Sequence, residues 1–97
     1  MPVSAADPAQ DVKVKDQTRL LPPYRVMLHN DDVNTFEHVI RAILRLTPLN
    51  EKEAATRAME AHETGVALLL VTHRERAELY VEQFASASLT VTCEPDA

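Results

Sequence analysis

The tripeptide Asn30-Asp31-Asp32 follows an apolar stretch, Tyr24-Arg25-Val26-Met27-Leu28, and stands just ahead of apolar residues recurring at helical spacing. A loop so placed faces water while stiff neighbours hold it, and binding side chains concentrate on such loops. Its amide and carboxylate oxygens are hydrogen-bond acceptors, the complement of a cation or a cluster of N–H donors. The same three residues also suit an Asx turn at the positive end of the next helix, so spacing alone leaves both uses open. His62, three residues ahead of Gly65, is the other polar side chain that could face a ligand. A histidine near a helix end is also an ordinary structural residue.

Other chemistries lack their residues. There are four histidines (His29, His38, His62, His73) but no HExxH, no paired CxxC and no EF-hand loop, so neither a metal nor another cofactor is expected. Cys93 is the only cysteine, and no GxSxG elbow is present, which argues against nucleophilic catalysis and an intrachain disulfide. A single glycine cannot build a phosphate-cradling loop. Fifteen acidic against ten basic residues give a formal charge of −5, which repels phosphate backbones and argues against a nucleic-acid partner. With no secretory apolar region and no run long enough to cross a membrane, a cytoplasmic protein without a membrane partner is expected, and a monomer.

Positioning such a loop falls to a small fold: 97 residues with 45% apolar content allow one hydrophobic core. Residues 1–20 mix Pro, Ala, Asp, Lys and Gln without sustained periodicity and read as a flexible N-terminal arm, leaving 21–97 for the folded domain. Tyr24, Val26 and Leu28 alternate as in a strand. Asn34, with Glu37 three residues on, predicts the start of a helix carrying Phe36, Val39, Ile40, Ile43 and Leu44, which Pro48 ends. Asn50 and Glu53 open a second helix with a stripe of Ala54, Ala58, Met59 and Ala61, stopping near Gly65. Val66 to Val71 is wholly apolar and predicts a central strand covered on both faces. Thr72 and Glu75 suggest the cap of a third helix with Ala77, Tyr80, Val81 and Phe84 inward, and a last strand alternates Leu89, Val91 and Cys93. The order is β-α-α-β-α-β, an α+β fold with a three-stranded antiparallel sheet packed against three helices.

With these elements placed, Tyr24 to Asp32 (YRVMLHNDD), Glu60 to Gly65 (EAHETG) and Glu75-Arg76-Ala77-Glu78 together resemble the ClpS family of protease adaptors, over about Leu21 to Glu94. The resemblance implies an adaptor that cleaves nothing itself. It would bind proteins bearing a bulky hydrophobic first residue (an N-degron) and deliver them to a ClpA- or ClpC-type unfoldase working with ClpP. By position, it implies that Asn30, Asp31 and His62 contact the α-ammonium group and that Asp32 holds the loop or the first peptide groups. Asn34, Phe36, Val39, Ala58, Ala61 and Leu89 would surround the first side chain. Glu75, Glu78 and Tyr80 would meet the unfoldase's N-terminal domain, and the arm would serve delivery.

The chemistry fits these assignments. An α-ammonium has three donors and a reference pKa just below 8, so it asks for three acceptors, which an amide oxygen, a carboxylate and a neutral imidazole provide. Three positions depart from the commonest family pattern: Phe36 and Ala58 stand where methionines are often found, and Tyr80 stands where a lysine often does. Acceptance of Leu, Phe, Tyr and Trp is expected, with Ile and Val left open by Phe36 and Ala58. The competing reading is an interaction domain of the same fold, like the carboxy-terminal domain of a ribosomal stalk protein, without an amine site.

Overall fold

The computed structural model describes residues 21–96, so the expected arm at 1–20 lies outside the described residues. Strand β1 (Tyr24–His29) is followed by helices α1 (Phe36–Leu46) and α2 (Glu51–Thr64), strand β2 (Val66–Thr72), helix α3 (Arg74–Ser86) and strand β3 (Val91–Pro95). The sheet runs β2-β1-β3 with both pairings antiparallel. The expected α+β architecture is therefore present.

The middle strand is β1, not the apolar run. Val66–Thr72 lies at an edge: Ala67 and Leu69 are buried while Val71 stays 45% exposed. An unbroken apolar run reads as buried on both faces, but it does not report strand order. The alternating strand takes the centre, with Val26 and Leu28 turned into the core and Arg25 into an ion pair with Glu94 on β3. Between Val26 and Met27 the register shifts: Val26 faces Leu70 and Met27 faces Leu68, so Leu69 is the extra residue of a β-bulge. The two edges differ in composition, since β2 carries no charge and no proline while β3 ends in Glu94-Pro95.

Two of the three expected helix starts shift by one residue. Thr35, not Asn34, caps α1, its hydroxyl accepting from the His38 N–H at 3.1 Å. His73, not Thr72, caps α3: Nδ1 accepts from the Arg76 N–H at 3.1 Å, while Thr72 finishes β2. Each time two adjacent residues can cap, and the one left over is claimed elsewhere, Asn34 by the preceding loop and Thr72 by the sheet. The start of α2 is as expected, a complete capping box in which Asn50 accepts from the Glu53 N–H at 2.8 Å and Glu53 from the Asn50 N–H at 3.0 Å.

Phe84, Leu28, Ile43, Leu69 and Val26 form the centre of the core. From α2 only Ala54, Ala58 and Ala61 enter it, so that helix lies close against the sheet; Met59, expected in the same stripe, faces out at 43% exposure. Leu89 precedes β3 rather than opening it, yet is buried beside Phe84 and Val91.

Gly65 ends α2 at φ 95°, a left-handed backbone that only glycine adopts freely. A Cβ there would meet no atom within 4 Å, so the penalty for Gly65→Ala is conformational rather than steric. The expected loss is about 1 kcal/mol in urea unfolding with an unchanged denaturant slope.

Candidate functional site

Two backbone hydrogen bonds set the polar loop. The His29 N–H donates to the Thr90 carbonyl and the Asn30 N–H to the Gly65 carbonyl, both at 3.0 Å. The second ties the first residue of the loop to the C-terminal cap of α2, so that Asn30 and His62, far apart in sequence, border one pocket. An unpaired backbone amide at a strand end is costly, and here the carbonyl that satisfies it also fixes where the loop begins.

Asp31 organises the rest. Its Oδ1 accepts the backbone N–H groups of Val33 at 2.9 Å and Asn34 at 2.8 Å, and its Oδ2 accepts Asn34 Nδ2 at 3.1 Å. The Asn34 N–H, foremost, holds the Asp31 carboxyl below its ordinary value of 3.8 against the opposing effect of burial, with the Asn34 side chain, the Val33 N–H and the nearby His38 adding to it. An ionised carboxylate offers about four lone-pair directions, so three donors leave room on Oδ2 for one more. Asn34 Nδ2 also donates to the Ser88 carbonyl at 2.7 Å, fastening the loop to the turn after α3. His38 fastens the same turn: Nε2 lies 2.7 Å from the Ala87 carbonyl, which can only accept, so Nε2 carries the proton.

The loop borders a pocket of about 430 Å³ between β1, α1 and α2. Asn30, Asp31, Asp32, Asn34 and His62 supply its polar side, and Phe36, Val39, Ala58 and Ala61 its apolar side; the fold thus brings together nine of the positions that the resemblance implies, with Asn34 on the polar side rather than among the apolar residues. Ala58 and Ala61 are almost wholly buried, while Phe36 is exposed at the rim. Among the described residues, nothing hydrogen-bonds to the side chains of Asn30, Asp32 or His62, which leaves three groups of acceptors open to a ligand. The pocket can thus hold an apolar group at its back and a compact cation at its polar side.

Other expectations are corrected. Leu89 does not line the pocket: it is buried behind it in the core, and its neighbour Ser88 reaches the loop through a carbonyl instead. Tyr80 is only 5% exposed, on the inner face of α3 with Ala77 and Phe84, its ring under the Arg76 guanidinium at 5.6 Å, so it offers little to a partner. Glu75 and Glu78 are exposed on the first two turns of α3, and Glu78 accepts from Arg74 Nε at 3.1 Å. Sequence reading missed Leu28, His29 and Met59 as lining residues. Leu28 and His29 lead directly into the loop, and Met59 lies three residues before His62, one helical turn away, so adjacency was the available signal.

Known proteins resemble this chain in sequence and in fold. A family model described as the ATP-dependent Clp protease adaptor protein ClpS matches residues 20–92. An adapter protein ClpS from Synechococcus elongatus is 37% identical, over 95% of this chain and 98% of the relative. A chloroplastic adapter CLPS1 from Chlamydomonas reinhardtii is 40% identical over 97% of this chain, and 57% of the relative is covered. Among solved structures, Agrobacterium tumefaciens ClpS2 bound to L-phenylalaninamide superposes with a TM-score of 0.70 at 30% identity, covering 77% of this chain and 98% of that one.

Asn34→Ala removes both side-chain hydrogen bonds that lock the loop, and a loss of about 1 to 2 kcal/mol in unfolding free energy is expected. Because the folded-state Asp31 carboxyl titrates below its ordinary value, its contribution is whole above about pH 4 and fades as pH falls through the folded value. The destabilisation of Asp31→Ala, measured by urea unfolding at pH 7 and at pH 2.5, should therefore be smaller in acid.

Proposed function

Because the chain belongs to the ClpS family of ATP-dependent Clp protease adaptors, and is an adaptor rather than an enzyme, we propose that its pocket captures the free amino terminus of N-degron proteins. On this reading Asn30, Asp31 and His62 accept the three N–H donors of the α-ammonium, and Asp32 serves the first peptide group. Phe36, Val39, Ala58 and Ala61, with Leu28, then enclose the first side chain. The observation that carries the reading is a set of unengaged acceptors on the polar side of the same pocket whose back is apolar. The bound compound of the Agrobacterium relative, L-phenylalaninamide, joins those two features, a primary amine and a benzyl group.

Magnitudes favour discrimination at both ends. Leaving one buried charge without its partner costs about 2 to 5 kcal/mol, which separates a free terminus from an acetylated one. Burying a leucine- or phenylalanine-sized side chain contributes roughly 1.5 to 3 kcal/mol, which separates bulky from small first residues. After the entropy of association, affinity near the micromolar range, about −8 kcal/mol, follows. Leu, Phe, Tyr and Trp are the expected first residues. Cargo passes to the N-terminal domain of a ClpA- or ClpC-type unfoldase through the exposed Glu75 and Glu78, in the cytoplasm.

Fluorescence anisotropy with Leu-Xaa and acetyl-Leu-Xaa peptides tests the reading: the free amine should bind at least thirtyfold tighter, and equal binding would sink it. His62→Ala, which leaves no internal partner stranded, should weaken every first residue alike, by about tenfold. Ala58→Met, which shrinks the apolar side, should instead reorder Leu, Phe and Trp. Affinity should decline above about pH 8 as the peptide amine loses its proton. Asp31, held low, stays ionised to below pH 3.8 and does not set the acid limit.

A further inference from the structure

Six large apolar side chains are exposed among the described residues; two of them, Phe36 and Met59, line this pocket, and a third, Val33, belongs to the loop that borders it. Phe36 and Met59 line it from α1 and α2, and Val33 sits in the loop between two lining residues, Asp32 and Asn34. Val33 is the least explained of the three. Its side chain is 90% exposed, yet its backbone is pinned, the N–H held by Asp31 Oδ1 at 2.9 Å and the next residue held at 2.8 Å. A pinned, solvent-facing valine adds nothing to the core, where a polar residue would serve the turn equally well. Clustered exposed apolar groups beside a cleft mark a contact surface.

We propose that Val33, Phe36 and Met59 form an apolar collar that reads the second side chain of the bound chain, making Val33 and Met59 specificity-determining residues. The occupant is the same polypeptide whose terminus the pocket takes, so the inference rests on the proposed function. Geometry supplies the reason: once the first side chain is inside and its amine is held at the polar side, the chain must leave across the rim. At that rim the apolar groups stand on the loop and α1 on one side and on α2 on the other. A leucine or phenylalanine in second place gains partial burial there, whereas serine or glycine gains little. Burying part of such a side chain is worth roughly three- to tenfold in affinity.

Anisotropy with labelled Leu-Leu, Leu-Phe, Leu-Ser and acetyl-Leu-Leu peptides decides it. The expected result is Leu-Leu and Leu-Phe binding roughly three- to tenfold tighter than Leu-Ser. That ratio should fall toward one in Val33→Ser combined with Met59→Ser, and persist in Val71→Ser, which alters an exposed valine on β2. Both collar positions are exposed, so the double variant should fold, and a circular-dichroism melt confirms that. If the parent requires a free amine yet binds Leu-Leu and Leu-Ser equally, or if the ratio survives the double variant, the collar is overturned while the amine site stands. If acetyl-Leu-Leu binds as well as Leu-Leu, the amine site fails and the collar with it.

Discussion

The Asp31 carboxylate is a ligand of its own loop before it can be a ligand of anything else. Three donors from Val33 and Asn34 converge on it, and Asn34 passes the restraint on to the turn after α3. A short polar loop left to itself would sample many conformations and would have to be ordered by whatever bound it. Here that entropy is already spent in folding, which is how a small site can reach useful affinity. The same contacts hold the Asp31 carboxyl below its ordinary value, so the donors that stiffen the loop also carry its negative charge further into acid.

The alanines of α2 have a comparable double use. Ala54, Ala58 and Ala61 let the helix approach the sheet closely, and the short side chains of Ala58 and Ala61 leave the space that is the apolar back of the pocket. Larger residues there would gain burial within the fold and fill the cavity. Stability and binding therefore draw on the same volume, which limits how far either can be improved alone.

Much of this was legible in the sequence because the signals were local. The Asn50–Glu53 capping box, the Gly65 stop and the inward faces of β1 and α3 are written in residues a few positions apart. What failed needed tertiary information. Asn34 beside Thr35, and Thr72 beside His73, are pairs of capable caps, and the competing demands of the loop and the sheet decide between them. The place of β2 at an edge depends on which strands pair, which an apolar run does not encode. Tyr80 illustrates a different failure: family position suggested a surface role, whereas the spacing of Ala77, Tyr80 and Phe84 puts its ring inside. Nine of the pocket's residues coincide with positions the family resemblance implies, but Leu89, carried over by position with them, is buried in the core instead of lining the wall.

The unequal edges of the sheet carry a consequence for how copies of this chain can meet. β2 presents a backbone ladder with neither charge nor proline, while the opposite edge terminates in Glu94-Pro95 and carries the carboxylates of Glu94 and Asp96, both paired with Arg25 of the middle strand. Runaway polymerisation by strand addition requires two receptive borders on every molecule, one to accept and one to offer. With a single receptive border among the described residues, strand-to-strand contact between folded copies favours a closed pair over an open chain.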